Sequence, residues 1–278
     1  MAITQSGYDM PDFSSLWRRA TVGELSWIDV NGPTGLPVVP LELDGMPCVA
    51  LPYAHLAAAD GLTGRMVALS VSEADVLGDD AHAAVALGRA EVTHDLEGST
   101  FVAQLLDQEI VKHPPTRLRA DGLMARRENW WWVPRVLVTL PEVAETYRLP
   151  ARSEPRDALL VRDRDGEPRI GVVTAKVWPD TPGERIDIWP KDGNLLEGDG
   201  LDVCAYAHRR SPDFERWEPW YRCGALHGET LTIARAEGEP GAGLEPFGIV
   251  GRLRNHRAVE RDCRSGIAAV EGRAWYAH

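Results

Sequence analysis

Three consecutive tryptophans stand close to an arginine in the segment ENWWWVPRVLVTL, which covers residues 128–140. Indole rings pack well against flat ligands, and a planar guanidinium group binds carboxylate or phosphate oxygens through two parallel hydrogen bonds. In a β-strand, Trp130 and Trp132 would point to one side and Trp131 and Arg135 to the other. The pattern favours two interpretations. Either the rings fill a core and an interface, or Trp130 or Trp132 forms a wall against a planar ligand with Arg135 as its anion contact.

Four basic side chains are candidates for holding an anionic ligand: Arg65, Arg135, Arg169 and Lys191. A phosphate dianion loses its hydration when it binds, and two or three charge-assisted hydrogen bonds are needed to offset that loss. Each of the four could also be an ordinary surface charge, because arginine and lysine are mostly exposed. The sequence therefore predicts a set of candidates for the binding of a phosphate.

Sequence signatures of the common hydrolytic and nucleotide-binding sites are absent. There is no G-x-S-x-G, H-E-x-x-H, P-loop or G-x-G-x-x-G pattern, so the sequence names no catalytic residue. The histidines show no metal-ligand spacing, and we predict no metal site. His208 and His227 lie on strands that we expect to be neighbours, where they could meet as a solvated or hydrogen-bonded pair, with a metal or haem site as the alternative.

The four cysteines contain no C-x-x-C pair, which argues against a zinc cluster and a disulfide framework. Cys204 and Cys223 fall on strands that could be neighbours. We nevertheless expect them to stay unlinked, because the amino terminus lacks a secretory signal and the cytoplasm is reducing. No apolar run is long enough for a membrane span, so we predict a soluble, cytoplasmic protein.

A net charge of −12 argues against nucleic acids and anionic membranes as partners, since both require a basic surface. One basic cluster stands out, GRLRNHRAVERDCR from Gly251. It has three interpretations: it faces an anionic ligand, it faces the more acidic first half of the chain, or it is a solvated surface.

Short alternating strands separated by turns dominate the first half. Strands are predicted over residues 25–30, 36–43, 46–53, 65–72 and 83–95, and helices after Ser14 or Ser15 and after Ser99; the tryptophan segment follows as a last strand. Few long helices and many turns predict a small antiparallel barrel.

The second half repeats this order of elements. A hairpin around Asp165–Gly166 is followed by strands over residues 184–190, 201–209 and 221–234. We therefore predict a mainly β chain of two tandem six-stranded-type antiparallel split barrels with a few peripheral helices. An N-terminal barrel would occupy residues 1–150 and a diverged copy residues 151–278. The two barrels would pack against each other as an intramolecular pseudo-dimer, so that a single chain could function as a monomer.

The segments ATVGELSWIDVNGPTGLPVVPLELDGMPCVALPY, RMVALSVSEAD, AVALGRAEVTHD and WWWVPRVLVTLPEV carry a family resemblance. Their layout resembles the flavin-binding split barrels related to pyridoxamine 5′-phosphate oxidase. The resemblance implies FMN at the interface between two barrels, with its phosphate held by arginine or lysine from the middle strands and from the loop after the third strand. In the first half that loop offers His55 and Arg65, and in the second half Lys191.

These observations lead to a functional hypothesis and its alternatives. The chain is expected to be an FMN-binding oxidoreductase acting on a small-molecule organic substrate between two barrels, with Arg65, Trp130, Trp132, Arg135, Arg169 and Lys191 as candidate cofactor-binding residues. The cofactor alternatives are a deazaflavin, haem or none. A second hypothesis is a split barrel that has lost flavin and serves as a small-ligand-binding protein or a non-redox enzyme. A third is a protein whose acidic first half binds a basic partner.

Overall fold

The computed structural model describes residues 13–78, 82–121, 127–196 and 199–276. The chain is mainly β, as predicted. The strands are β1 (Gly23–Asp29), β2 (Gly32–Val38), β3 (Leu41–Leu43), β4 (Met46–Pro52), β5 (Met66–Val71), β6 (His82–Arg89), β7 (Glu91–Asp95), β8 (Arg135–Thr139), β9 (Val143–Pro150), β10 (Asp157–Arg164), β11 (Glu167–Ala175), β12 (Arg185–Pro190), β13 (Asp199–Arg210), β14 (Trp217–His227) and β15 (Thr230–Glu237). The α-helices are α1 (Phe13–Arg19), α2 (Leu56–Asp60), α3 (Ala74–Leu77), α4 (Leu106–Lys112), α5 (Pro114–Asp121) and α6 (Ile249–Tyr276).

The first half consists of two antiparallel sheets around one core. One sheet has the order β2-β1-β5-β6-β9 and the other β3-β4-β8-β7. Two strands predicted as continuous are each divided between the sheets. The predicted strand over residues 36–43 breaks before Leu41, because Pro40 has no N–H to donate to a ladder. The predicted strand over residues 83–95 breaks at Ala90, whose N–H donates a hydrogen bond to Arg65 O at 2.9 Å. The chain thereby crosses from one sheet to the other.

The second half is a closed six-stranded antiparallel barrel in the order β10-β11-β12-β15-β14-β13. Side chains alternate along its strands, as expected from a two-residue period. Leu160 of β10 and Val173 of β11 fill the interior, while Leu159 of β10 and Val172 of β11 point outward. The fold class is as predicted, but the halves differ in strand number and closure, and duplication of one half into the other stays a prediction.

The outer face of the second barrel packs on the five-stranded sheet of the first half, and we call this contact the seam. Leu159, Val172 and Tyr206 are buried in the same apolar core as Leu25 and Trp27 of β1. This contact explains why β1 is buried on both faces. One core therefore extends across the predicted boundary near residue 150.

The structure corrects the prediction that the tryptophans form a strand. Residues Arg127–Trp132 form a 3₁₀ helix, the N–H of Val133 bonds Trp130 O at 3.0 Å, and β8 begins only at Arg135. Pro134 lacks an N–H, which explains why no ladder continues through it. Trp131 and Trp132 are buried, and Trp130 is 44% exposed.

Two further expectations about the second barrel are wrong. Cys204 and Cys223 form a disulfide, because the β13–β14 ladder places them directly opposite each other with their Cα atoms 4.0 Å apart. His208 and His227 do not meet, since that ladder pairs His208 with Pro219 and His227 with Asp199 at its other end.

The basic cluster from Gly251 lies on α6, a long helix that the sequence analysis missed. Gly266 of α6 approaches the backbone of Tyr53 so closely that a Cβ atom would overlap Tyr53 O. Arg252 pairs with Asp213 at 3.2 Å, in the second half, and Arg261 is 76% exposed. The cluster therefore includes both a solvated face and a contact with acidic side chains of the second half. Among the described residues, no helix has the length and apolar content needed to cross a bilayer.

Candidate functional site at the seam

A pocket of about 560 Å³ opens where the two halves meet, and we call it the seam pocket. Strand β9 of the first half contributes Glu145 and Tyr147. The second barrel contributes the other lining residues, namely Arg162, Asp163, Arg164, Asp165, Arg169, Ile170, Asn194, Leu195 and Leu201. The pocket thus lies between two β structures, where the resemblance predicted a cofactor.

A gap in strand pairing creates the seam pocket. The β11–β12 ladder spans Val173–Ala175, so Ile170 lies beyond its end. The phenol of Tyr147 fills this place: it accepts a hydrogen bond from Ile170 N at 2.9 Å and donates one to Ile170 O at 3.3 Å. Burial raises the pKa of Tyr147 to about 12, which keeps this phenol protonated as a donor. The Tyr147 side chain thus makes the two backbone hydrogen bonds that a neighbouring strand would otherwise make with Ile170. Both residues line the seam pocket.

Two arginines face each other at this end of the barrel. Arg162 of β10 and Arg169 of β11 are direct cross-strand partners. Like charges in this position repel each other, and both Nε atoms are buried without a hydrogen-bond partner. Arg169 also donates to Glu145 Oε2 at 2.6 Å, a hydrogen bond that raises its pKa. The pair is arranged to accept a further anion.

Acidic side chains at the rim limit the positive charge of the seam pocket. Asp163 lies near the end of β10 and Asp165 in the hairpin turn, and Asp163 Oδ1 accepts a hydrogen bond from Gly166 N at 2.7 Å. Glu167 Oε2 lies 3.9 Å from Arg169 Nη2. A bound anion would therefore approach the guanidinium groups between carboxylates.

The other predicted cofactor-binding residues do not gather at this pocket. Arg65 donates to Ile28 O at 2.9 Å on an exposed part of the first half. Arg135 is 2% exposed, lies 3.3 Å from Glu109 Oε1 and stacks over Phe101 at 4.2 Å. Of the six predicted residues, Arg169 lines the seam pocket, whereas Arg135 is held inside the first half.

Lys191 and the tryptophans have other surroundings. Lys191 Nζ donates to Asp157 Oδ2 at 2.6 Å and to Ser153 Oγ at 2.9 Å. The Trp131 ring packs edge-on against His256 of α6 at 5.2 Å. Trp130 and Trp132 are in the 3₁₀ helix that precedes β8. None of these residues lines the seam pocket.

A buried network of charges ties the halves together at the other end of the seam. Glu24 of β1 accepts hydrogen bonds from Ser70 at 2.8 Å, Ser72 at 2.6 Å and Arg152 at 2.8 Å. Arg152 also lies 3.4 Å from Glu73 Oε1. Burial acts to raise the pKa of Glu24, but contact with His208, the charge of Arg152 and the bond from Ser72 outweigh it and lower that pKa to about 2. Glu24 is therefore ionised.

His208 is the neutral member of this network. The indole N–H of Trp217 donates to His208 Nδ1 at 2.9 Å, and because an indole nitrogen can only donate, Nδ1 must carry a lone pair. Burial lowers the pKa of His208, which agrees with a neutral ring.

Among the described residues, no group of histidines, cysteines and carboxylates is arranged to hold a metal ion.

Sequence reasoning missed Arg162 and Tyr147 for different reasons. A two-residue Asp165–Gly166 turn fixes the pairing of Arg164 with Glu167, and counting back two residues pairs Arg162 with Arg169. This signal was present in the sequence. Tyr147 had no such signal, because the sequence analysis predicts no strand over residues 143–150, which form the edge strand β9 that pairs with β6.

Comparisons with known proteins give weak structural likenesses. No family model and no curated protein match the chain. The chain is similar to a conserved hypothetical protein, Rv2991, from Mycobacterium tuberculosis (16% identity, 54% of this chain and 91% of that chain, TM-score 0.37). It is similar to HutZ, a haem storage protein from Vibrio cholerae (13% identity, 51% of this chain and 95% of that chain, TM-score 0.34). It is also similar to a pyridoxamine 5′-phosphate oxidase-related, FMN-binding protein from Nostoc punctiforme (10% identity, 81% of this chain and 100% of that chain, TM-score 0.32). Likenesses of this size do not establish a family.

Proposed function

We propose that this chain is a split-barrel flavoprotein that binds FMN in the seam pocket and carries out redox chemistry on a small organic substrate. The observation that carries the proposal is the cross-strand pair Arg162 and Arg169, whose Nε atoms are buried without partners beside a pocket of about 560 Å³. Cofactor pockets commonly have volumes of about 300–1,000 Å³.

The lining residues fit a phosphate-bearing planar group. Arg162 and Arg169 would hold the phosphate, because two guanidinium groups can supply the charge-assisted donors that offset its lost hydration. Ile170, Leu195 and Leu201 offer apolar surface to a ring system. When bound, the flavin would supply hydride or electron transfer, and the protein would bind and orient it.

Fluorescence quenching of FMN by the purified protein tests the proposal. We expect saturable quenching, and Arg162→Ala and Arg169→Ala should each raise the dissociation constant about tenfold to a hundredfold, as for loss of a hydrogen bond to a charged group. Arg185→Ala on β12 is the matched control, because Arg185 does not line the pocket. Colourless protein that fails to quench FMN contradicts the proposal, as does equal binding by all three variants.

Parallel titrations with haemin and a deazaflavin identify the cofactor class. Haem propionates and a deazaflavin phosphate are anions that the same arginines could hold. FMN should bind most tightly. Oxidoreductase activity is tested separately by reducing the bound FMN without oxygen and following its reoxidation by candidate substrates through the visible absorbance.

The second candidate function is binding or non-redox conversion of a small anion without flavin. The four carboxylates around the seam pocket, from Glu145, Asp163, Asp165 and Glu167, favour it because they oppose the double charge of a phosphate monoester. This function predicts that a monocarboxylate raises the melting temperature of the wild type but not of Arg162→Ala, and that FMN has no effect on either.

A further inference from the structure

A second cleft, of about 370 Å³, lies next to the buried network at the other end of the seam, and we call it the network cleft. Residues from the segment 152–157, from the end of β13 and from the loop 241–243 line it. No residue lines both this cleft and the seam pocket. It is therefore a separate candidate site within the described part of the chain.

Asp157 lines this cleft and carries a hydrogen-bond acceptor without a donor. Its Oδ2 atom accepts hydrogen bonds from Ser153 N and Glu154 N, both at 2.9 Å, and from Lys191 at 2.6 Å. Its Oδ1 atom is buried and has no hydrogen-bond partner, and the whole residue is only 2% exposed. Burial acts to raise the pKa of Asp157, but the bond from Lys191 and the two backbone bonds lower it. A buried anionic oxygen without a donor is costly unless a ligand supplies one.

Arg209 presents the complementary donor. Its Nη2 atom lies 3.3 Å from Glu218 Oε2 and 3.7 Å from Glu239 Oε2, while its Nε atom is buried without a partner. Gly241 lies so close that a Cβ atom there would be 3.4 Å from Arg209 Nη1. Arg209 and the loop of small residues, Gly241 to Gly243, line the cleft together, and Gly241 places no side chain over the guanidinium group.

The other charged side chains of the network cleft already neutralise one another. Arg152 pairs with Glu24 and Glu73, and Arg210 pairs with Glu73 and Asp75. Unmet hydrogen bonding is thus concentrated on one acceptor, Asp157 Oδ1, and one donor, Arg209 Nε. A ligand that satisfies both must carry a donor and an acceptor.

We propose that the network cleft binds a free amino acid, whose ammonium group donates to Asp157 and whose carboxylate accepts from Arg209. Charged ligand groups suit Asp157 Oδ1 and Arg209 Nε better than neutral groups do, because charge-assisted hydrogen bonds are about twice as strong as neutral ones. The volume of about 370 Å³ far exceeds the roughly 30 Å³ of one water molecule, so a single water does not fill the cleft.

The test is a ligand-observed NMR screen of the protein amino acids, followed by calorimetry on those that bind. We expect at least one amino acid to bind, and its amine and carboxylic acid analogues, each lacking one charged group, to bind about tenfold or more weakly. Asp157→Asn and Arg209→Gln should each weaken binding by a similar factor. Asp202→Asn, an exposed carboxylate on β13, is the control that should leave binding unchanged.

Several outcomes overturn the proposal. They are the absence of binding by any amino acid at millimolar concentration, equal binding by the lone amine or the lone acid, and unchanged binding in Arg209→Gln. Arg209→Gln decides the question if Asp157→Asn does not fold, since the Arg209 partners Glu218 and Glu239 are exposed. FMN titration of the same variants separates the two sites, because Arg209→Gln should quench FMN like the wild type.

Discussion

Glu24 shows how a single residue acts across the two halves. Its carboxylate lies in β1 but is neutralised by Arg152, which follows β9, and it contacts His208 at 3.6 Å. Buried ion pairs contribute little net stability when intact, but removing one partner leaves an uncompensated charge. The network therefore favours one particular arrangement of the two halves.

Glu24→Gln tests this role. The substitution leaves Arg152 buried opposite an amide, and we expect the free energy of unfolding to fall by about 3–5 kcal/mol in urea titrations. Glu42→Gln is the control, because it removes the partner of Arg18, whose side chain is 65% exposed. It should lower the free energy of unfolding by less than about 1 kcal/mol. Equal effects of the two substitutions would contradict the assignment.

Residue types were easier to identify from the sequence than their partners. Arg169 is a candidate for phosphate binding from its residue type, and it lines the seam pocket, while Arg162 follows from the hairpin register. Arg135 looked equally suitable, but its partner Glu109 lies 26 residues earlier on a helix. A sequence displays the charge of a side chain and does not display the long-range contact that neutralises it.

At the scale of elements, the packing of β2 against β13 depends on a glycine. A Cβ atom at Gly35 would lie 2.5 Å from Tyr206 Cζ, and Tyr221 Oη donates to Gly35 O at 2.8 Å. Tyr206 Oη in turn lies 2.8 Å from Ser26 Oγ of β1. These contacts fix the distance between the sheet and the barrel.

Gly35→Ala should therefore destabilise the protein by about 1–3 kcal/mol, the usual cost of overpacking a core. Gly171→Ala is a matched control on β11, because a Cβ atom there would have no heavy atom within 4 Å. Thermal unfolding of both variants measures the difference. A Gly35→Ala variant as stable as Gly171→Ala would show that the strands can separate without cost.

The disulfide is a second link between elements. We expect alkylation of denatured, unreduced protein to modify Cys48 and Cys263 but not Cys204 and Cys223. Closing a loop of 19 residues restricts the unfolded chain, so reduction should lower the free energy of unfolding by about 3 kcal/mol. A double Cys204→Ser and Cys223→Ser variant should be insensitive to reductant. Alkylation of all four cysteines would contradict the pairing.

Strands were predicted better than helices because their signals differ in strength. Alternating apolar residues and the Asp165–Gly166 turn marked the hairpins, whereas the apolar residues of α6 are interspersed with arginines, and Cys263 is the one buried residue among those of α6 whose side chains are described. The tryptophan segment was misassigned because Pro134 interrupts a run that otherwise favours a strand. The Trp131 ring packs against His256 of α6, and such a long-range contact is not visible in local sequence.

At the scale of the whole molecule, buried titratable groups predict a loss of stability in acid. Burial lowers the pKa of His208 below 6.5 and that of His113 to about 4. Below pH 6.5 the unfolded chain therefore binds protons that the folded protein does not, and stability falls with decreasing pH. Glu24 adds to this loss between about pH 4.5 and 2, because its carboxylate stays ionised in the folded state down to the lower value.

Urea midpoints measured from neutral to acidic pH check this expectation. His208→Gln is the control, since its amide oxygen can still accept from Trp217 while the titrating group is gone. The variant should lose less stability than the wild type between neutral pH and pH 5. Midpoints that are constant across that range in the wild type would contradict a neutral, buried His208.

The segment that joins β9 to β10 has a further consequence, because it carries Arg152 and connects the two halves covalently. Separate subunits dissociate on dilution, but tethered partners meet at an effective concentration set by the linker. The crevice beside Tyr147 consequently stays assembled in the most dilute solution, so dilution of the protein does not take the site itself apart.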